Sequence, residues 1–393
     1  MTTPSPALPP SGGLALWNLG FRPFYLLAGA LAALGMLGWV AQLAGWLGAH
    51  TYVRGPLWHA HEMIFGYAFA VIVGFLFTAA RNWTGQPTPT GAALALIAAL
   101  WLAARLLVLT PWPWPAAAVD IAFALAAAAG LARPLLAAKN RRNYFFVALL
   151  LALGAANLAF HLAMAGLATF PVQRALQFGL DLVLFIMVLM GGRVIPMFTA
   201  NGIPGSKPER LAWLERSAIG SVLALLAVDA LGAPPAVVGA IAAFAALGNA
   251  ARLALWQPWR TLSRPIVWIL HASYAWIALS LLLRALAVFE IVPDNLATHA
   301  FTVGAVGGLT LGMMTRTARG HSGLRLEPGR LEIAAYLLLQ LAALTRVFVL
   351  LLLPGQYLNA VIASGLFWSL AFTLFVVKFS PILLHPRLDG REG

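Results

Sequence analysis

The sequence predicts an all-α, polytopic helical membrane protein of about twelve spans, and three observations lead there. Of its 393 residues, 61% are hydrophobic and only 9% are charged, where soluble chains carry about 25% charged residues. The mean hydropathy is +0.86. The apolar residues fall in runs of about 20, long enough to cross the hydrocarbon core as helices.

In chain order, residues 1–20 begin MTTPSPALPPSGG and lack the basic start and small-residue cleavage site of a signal peptide. They read as a disordered cytoplasmic tail. Spans follow at 24–47, 58–80, 91–110, 114–132, 143–167, 172–195, 211–231, 234–255, 265–289, 295–315, 331–353 and 356–379. They form one transmembrane domain over 21–381, with a cytoplasmic tail over 382–393. Pro and Gly punctuate the short connections at Pro111–Pro115, Pro204–Pro208, Pro234–Pro235 and Pro354–Gly355.

Orientation follows from the basic residues. Arg81, Arg133, Lys139, Arg141, Arg142, Lys207, Arg210, Arg260, Arg264, Arg325 and Arg330 fall in alternate loops, whereas the opposite loops hold only Arg54 and Arg174. The positive-inside rule then places both termini in the cytoplasm. The same bias accounts for the net charge of +13 without nucleic acid as a partner; the surroundings are lipid.

Eight histidines and no cysteine narrow the chemistry. Disulfides, iron–sulfur clusters, Cys-zinc sites, type-1 copper and CxxCH haem attachment are excluded. A metal or haem iron must then be held by nitrogen, oxygen or thioether sulfur. Intramembrane ionisable residues are costly and mark function. By helical rise, His59, His61, His161 and His299 lie at the outer ends of their spans, and His271 and His321 at the inner side. His50 and His385 read as solvated. His59 and His61 point about 200° apart on a regular helix, so they cannot chelate one ion together. His161 shares a face with Asn157 and Met164. Glu62 is placed to orient a ligand; Asp120 and Asp181 are intramembrane carboxylates suited to a proton path.

Spans 2 and 10 echo each other at an offset of 238 residues: His61 with His299, Gly66 with Gly304, Gly74 with Gly312, Arg81 with Arg319 and Gly85 with Gly323. Span 6 carries a fainter version, Gly191 standing for Gly74 and Gly202 for Gly85. Arg22–Pro23 and Arg264–Pro265 precede spans 1 and 9 alike. This predicts a three-fold pseudo-repeat of four helices. Equivalent helices bring His61 and His299 to one depth, as the axial pair of a b-type haem. Arg105, Arg284 and Arg346, also in the outer half, are the expected partners of its propionates. Copper is expected mainly on His59 and His161, with His271 and His321 as candidates for a further metal site beside Met313 and Met314.

The runs FRPFYLLAG, WHAHEMIFGYAFAVIVGFLFTAARNWTG, GGRVIPMFTANG and HAFTVGAVGGLTLGMMTRTARGHSG resemble the NnrS family, over essentially the whole chain from Phe21 to about Pro381. That resemblance implies a bacterial inner-membrane protein containing haem and copper, linked to nitric oxide metabolism and resistance to nitrosative stress. The histidines within the family's motifs correspond to His59, His61, His161, His271, His299 and His321. Nitric oxide is the implied small-molecule partner; the electron donor, and whether the protein turns over a substrate, stay open. Two other readings compete. Three arcs of four helices resemble the catalytic subunit of respiratory haem–copper oxidoreductases, but span 6 has no histidine and span 7 no His–His pair. Twelve spans also suit a secondary transporter without metal, although its sites belong at the midplane of paired halves.

Overall fold

A computed structural model describes residues 14–48 and 52–390. His50, residues 1–13 of the expected N-terminal tail and the last three of the C-terminal one lie outside the described residues. Where the sequence marks 14–20 as tail, Ala15–Trp17 form a one-turn 3₁₀ helix. Ala15 and Leu19 are buried there, because these apolar side chains have a core to join.

Twelve helices follow, with no strand among the described residues. They are α1 (Phe21–Leu43), α2 (Gly55–Thr84), α3 (Gly91–Leu107), α4 (Pro113–Ala137), α5 (Phe145–Met164) and α6 (Val172–Gly202). Then come α7 (Ala212–Leu231), α8 (Pro235–Leu255), α9 (Pro265–Ala287), α10 (Asp294–His321), α11 (Arg330–Leu352) and α12 (Tyr357–Leu384). Ten are long and apolar enough to cross a membrane. The exceptions have local causes: α3 has 17 residues, roughly 25 Å, and α7 carries Glu215, Arg216 and Asp229. Proline opens α2, α4, α8 and α9, where its missing N–H has no intrahelical partner to lose. The helices overrun the apolar spans, α6 continuing past Pro196 to Gly202. Hydropathy reports the depth of hydrocarbon, not the end of the backbone ladder.

Each helix packs on its sequence neighbours and α12 returns to α1, closing a ring. Within it α2 meets α1, α4 and α6, while α10 meets α1, α9 and α11; α2 and α10 are the most enclosed of the long helices. Large apolar side chains such as Leu34, Leu247 and Val377 are exposed around the outside, a surface for a lipid bilayer. At the end rich in basic residues, buried Arg22 donates to the carbonyls of Leu383 (2.9 Å) and His385 (2.7 Å), tying α1 to the C-terminus of α12.

The structure carries the 238-residue echo. Directly after His61, α2 widens into a π-helical stretch over Glu62–Ala68; directly after His299, α10 does so over Ala300–Gly307. The paired glycines also do one job. A Cβ on Gly66 or Gly74 would fall 2.7 Å from Leu31 or 2.9 Å from Phe24 of α1. On Gly304 or Gly312 it would fall 2.3 Å from Trp276 or 2.8 Å from Leu270 of α9. In both units the second helix lies against the first at two glycine steps.

Candidate metal centre

Away from the basic end, the polar side chains of α2, α3, α4 and α5 converge. His61 sits in the last regular turn of α2, before the π stretch, and is fully buried. Asn157 and His161, one turn apart on α5, present one face inward. Asp120 comes from α4 and Arg105 from the end of α3. Gly66 leaves room for that arginine to cross α2, since a Cβ there would lie 3.0 Å from Arg105 Nη1.

The Nε2 atoms of His61 and His161 each lie 3.4 Å from the same carboxylate oxygen, Oδ2 of Asp120. His61 Nε2 also lies 2.9 Å from Asn157 Oδ1. The three candidate ligand atoms fall within 4.8 Å of one another, and this is the one such group of three His or acidic residues among the described residues. Both outward nitrogens are held: His61 Nδ1 pairs with Glu62 Oε1 at 3.0 Å and His161 Nδ1 with the Tyr52 hydroxyl at 2.9 Å. Each Nε2 faces oxygen acceptors, Asp120 Oδ2 for both rings and Asn157 Oδ1 for His61, so Nε2–H donates here and the Tyr52 hydroxyl donates to His161 Nδ1. A metal ion at Asp120 would take the place of the Nε2 protons, with Glu62 and Tyr52 placed to accept from Nδ1–H. Tyr52, which precedes α2, stays a neutral phenol, because burial and the Asp120 charge push it up to about 12.

Charge balance constrains the cluster as well. Arg105 donates to Glu62 at 2.7 Å and to Asp120 by a shorter bond. One guanidinium faces two carboxylates, and burying an unmatched charge is costly. A second positive charge is therefore needed, and it is supplied either by a proton on His61, whose two ring nitrogens both face oxygens, or by a metal ion in that proton's place. Two imidazoles and a carboxylate oxygen suit a divalent transition metal or copper.

His299 belongs to a separate cluster. Its Nδ1–H donates to the Asn295 carbonyl (2.7 Å), and Arg346 Nη2 approaches its Nε2 at 3.2 Å. His59 stacks on Trp39, with ring centroids 5.3 Å apart, close enough to Arg346 and His299 to feel their fields. Buried His59 Nδ1 and Arg346 Nη1 have no hydrogen-bond partner. The structure thus groups His61 with His161 and Asp120, and His299 with His59 and Arg346. The expected axial pair His61–His299 and the expected copper pair His59–His161 are not the groupings seen: His61 of α2 turns toward α4 and α5, and His299 of α10 toward Arg346 of α11.

The arginines expected at propionates divide as well. Arg105 is committed to Glu62 and Asp120, and Arg284 to Asp181 (2.8 Å) and Asp229 (2.5 Å). Their charge is already matched within the protein. Arg346, which lies in its own π-helical stretch of α11 and rests over the Tyr357 ring, meets no carboxylate among the described residues. On the basic side, His271 hydrogen-bonds Thr199 (2.7 Å) and His321 packs on Phe21 (centroids 5.5 Å); they do not form a further three-ligand group among the described residues. Arg319 is bound to Glu332 and Arg316 lies over the Phe198 ring, so both anchor helix ends. Tyr52 is the contributor the sequence reading missed. It stands in a connection, and no periodicity ties it to α5.

Residues 15–387 match the family described as NnrS protein, and the chain belongs to that family. No curated protein gives a significant match.

Proposed function

From membership in the NnrS family, we propose that this protein serves the response to nitric oxide from the bacterial inner membrane, both termini cytoplasmic, holding copper at His61, Asp120 and His161. The carrying observation is the pair of Nε2 atoms aimed at one carboxylate while Glu62 and Tyr52 hold the opposite nitrogens. Arg105 holds both carboxylates in place by donating to each; the surrounding Phe65 and Phe160 rings, packed on His61, exclude water.

Haem b is the second cofactor of this reading, and its donor set is the other cluster. The Asn295 carbonyl takes the Nδ1 proton of His299, and its Nε2, which now accepts from Arg346, would hold the haem once Arg346 turned away. Arg346, without an acid of its own, and the orphaned His59 Nδ1 are the groups to meet a propionate. Cu(I) and ferrous haem each bind nitric oxide and exchange one electron, which is the chemistry these cofactors bring. The positive-inside bias supports the orientation, which puts both clusters at the outer side.

Metal and haem analysis of purified protein and variants tests this reading. His61→Ala with His161→Ala is expected to abolish copper and spare haem, and His299→Ala to do the reverse. Full copper retention in the double variant would overturn the assignment.

A further inference from the structure

At the centre of the ring, where α2, α6 and α10 meet, lies a cavity of about 70 Å³. Its walls follow the internal repeat. Val71 and Ile72 of α2 line it, and so do the residues 238 positions later, Leu309 and Thr310 of α10. From α6 come Met190 and Gly191, the latter standing where the echo places Gly74. The gap therefore lies on the pseudo-three-fold axis, at one level of three equivalent helices. Gly191 lets the Tyr274 ring close in, since a Cβ there would fall 2.7 Å from it.

The lining surface is almost wholly aliphatic, aromatic and thioether; its hydroxyls are those of Tyr25 and Thr310, and the latter is occupied. Thr310 Oγ1 donates to the Val306 carbonyl at 2.6 Å and shares a 2.5 Å bond with the Tyr67 hydroxyl. A buried water needs two to four polar partners, and apolar cavities stay dry. Ions and hydrogen-bonding solutes are excluded for the same reason. An apolar cavity of about 150 Å³ admits benzene or xenon; one of half that size suits a single small gas molecule. Val71 and Leu309 each stand ten residues beyond His61 and His299, across the two π-helical stretches. The cavity is thus similarly placed along the chain from both histidine clusters.

We infer that this axial cavity is a docking site for a small, uncharged, apolar gas molecule, shared by the two clusters. Nitric oxide as its natural occupant rests on the proposed function; the site itself does not. Xenon is the probe. A structure of the full-length protein determined under xenon pressure is expected to show one xenon atom between Ile72, Met190 and Leu309, with a matching exchange signal in ¹²⁹Xe NMR. Leu309→Phe, and independently Ile186→Phe, fill the space, and either folded variant is expected to lose both signals. Ordered water or an acyl chain in the cavity, absence of xenon, or xenon retained in a filled variant would each overturn the inference. Metal-free protein that still takes xenon keeps the gas site and sinks the metal reading. Copper-loaded protein that takes none does the opposite.

Discussion

Replacing Tyr52 by Phe removes one hydroxyl and leaves the ring stacked on His161, where the centroids lie 5.9 Å apart at 16°. The lost bond is the 2.9 Å contact that fixes the His161 tautomer. If that contact were purely structural, its loss would cost about 1 kcal/mol of stability and little else. If it positions a metal ligand, copper affinity falls by about 10- to 100-fold, which is about 1.4–2.8 kcal/mol of binding free energy. Competition titration of purified protein against a Cu(I) chelator reads this directly, with His161→Ala as the reference for full loss of the ligand. The expected result is a weakened site that keeps its copper-to-protein ratio at saturation. A dissociation constant within about twofold of the parent would refute the role assigned to Tyr52, since that is well below the usual effect of such a partner.

Gly66→Ala places a Cβ 2.7 Å from Leu31 and 3.0 Å from Arg105, so overpacking is expected to cost about 1–3 kcal/mol; an unchanged melting temperature in detergent would contradict the close packing of α2 on α1. Arg284→Met leaves Asp181 and Asp229 without their shared cation. A loss of about 3–5 kcal/mol is expected in thermal melts, with copper per folded molecule unchanged. Arg346→Gln is expected to lower haem content in a pyridine haemochrome assay while copper stays at the parent level; normal haem would remove Arg346 from the site. Because the chain has no cysteine, single cysteines report topology cleanly. Gly48→Cys is expected to react with an impermeant maleimide in intact spheroplasts and Lys139→Cys only after lysis, and the reverse pattern would invert the orientation.

The helices were legible because lipid imposes a simple rule: a spanning segment must satisfy its own backbone and stay apolar for about 20 residues. That rule located even α7, whose Glu215 and Asp229 pair with Arg252 and Arg284 and so tolerate burial. The members of the candidate metal cluster were legible one at a time. His61, His161, Asp120, Arg105 and Asn157 each stood out as polar residues in apolar surroundings. Their grouping was not, because it depends on which way each helix turns. The repeat puts His61 and His299 at equivalent places before a π-helical stretch, yet their partners differ: Glu62, Asp120 and Asn157 for one, the Asn295 carbonyl and Arg346 for the other. The π-helical stretches after both histidines also escaped notice, since an inserted backbone residue leaves no mark in hydropathy. The Gly66–Gly304 pair was their one visible correlate, and it pointed to close packing rather than to altered register.

The central claim is that two particular imidazoles hold one copper ion. Pulsed EPR of the Cu(II)-loaded protein tests it, because the remote nitrogen of each bound imidazole gives its own modulation. The parent is expected to show two such nitrogens, the Nδ1 atoms of His61 and His161, and His161→Gln to show one. A Cu(II) signal that is the same in the parent, His61→Gln and His161→Gln would contradict the account.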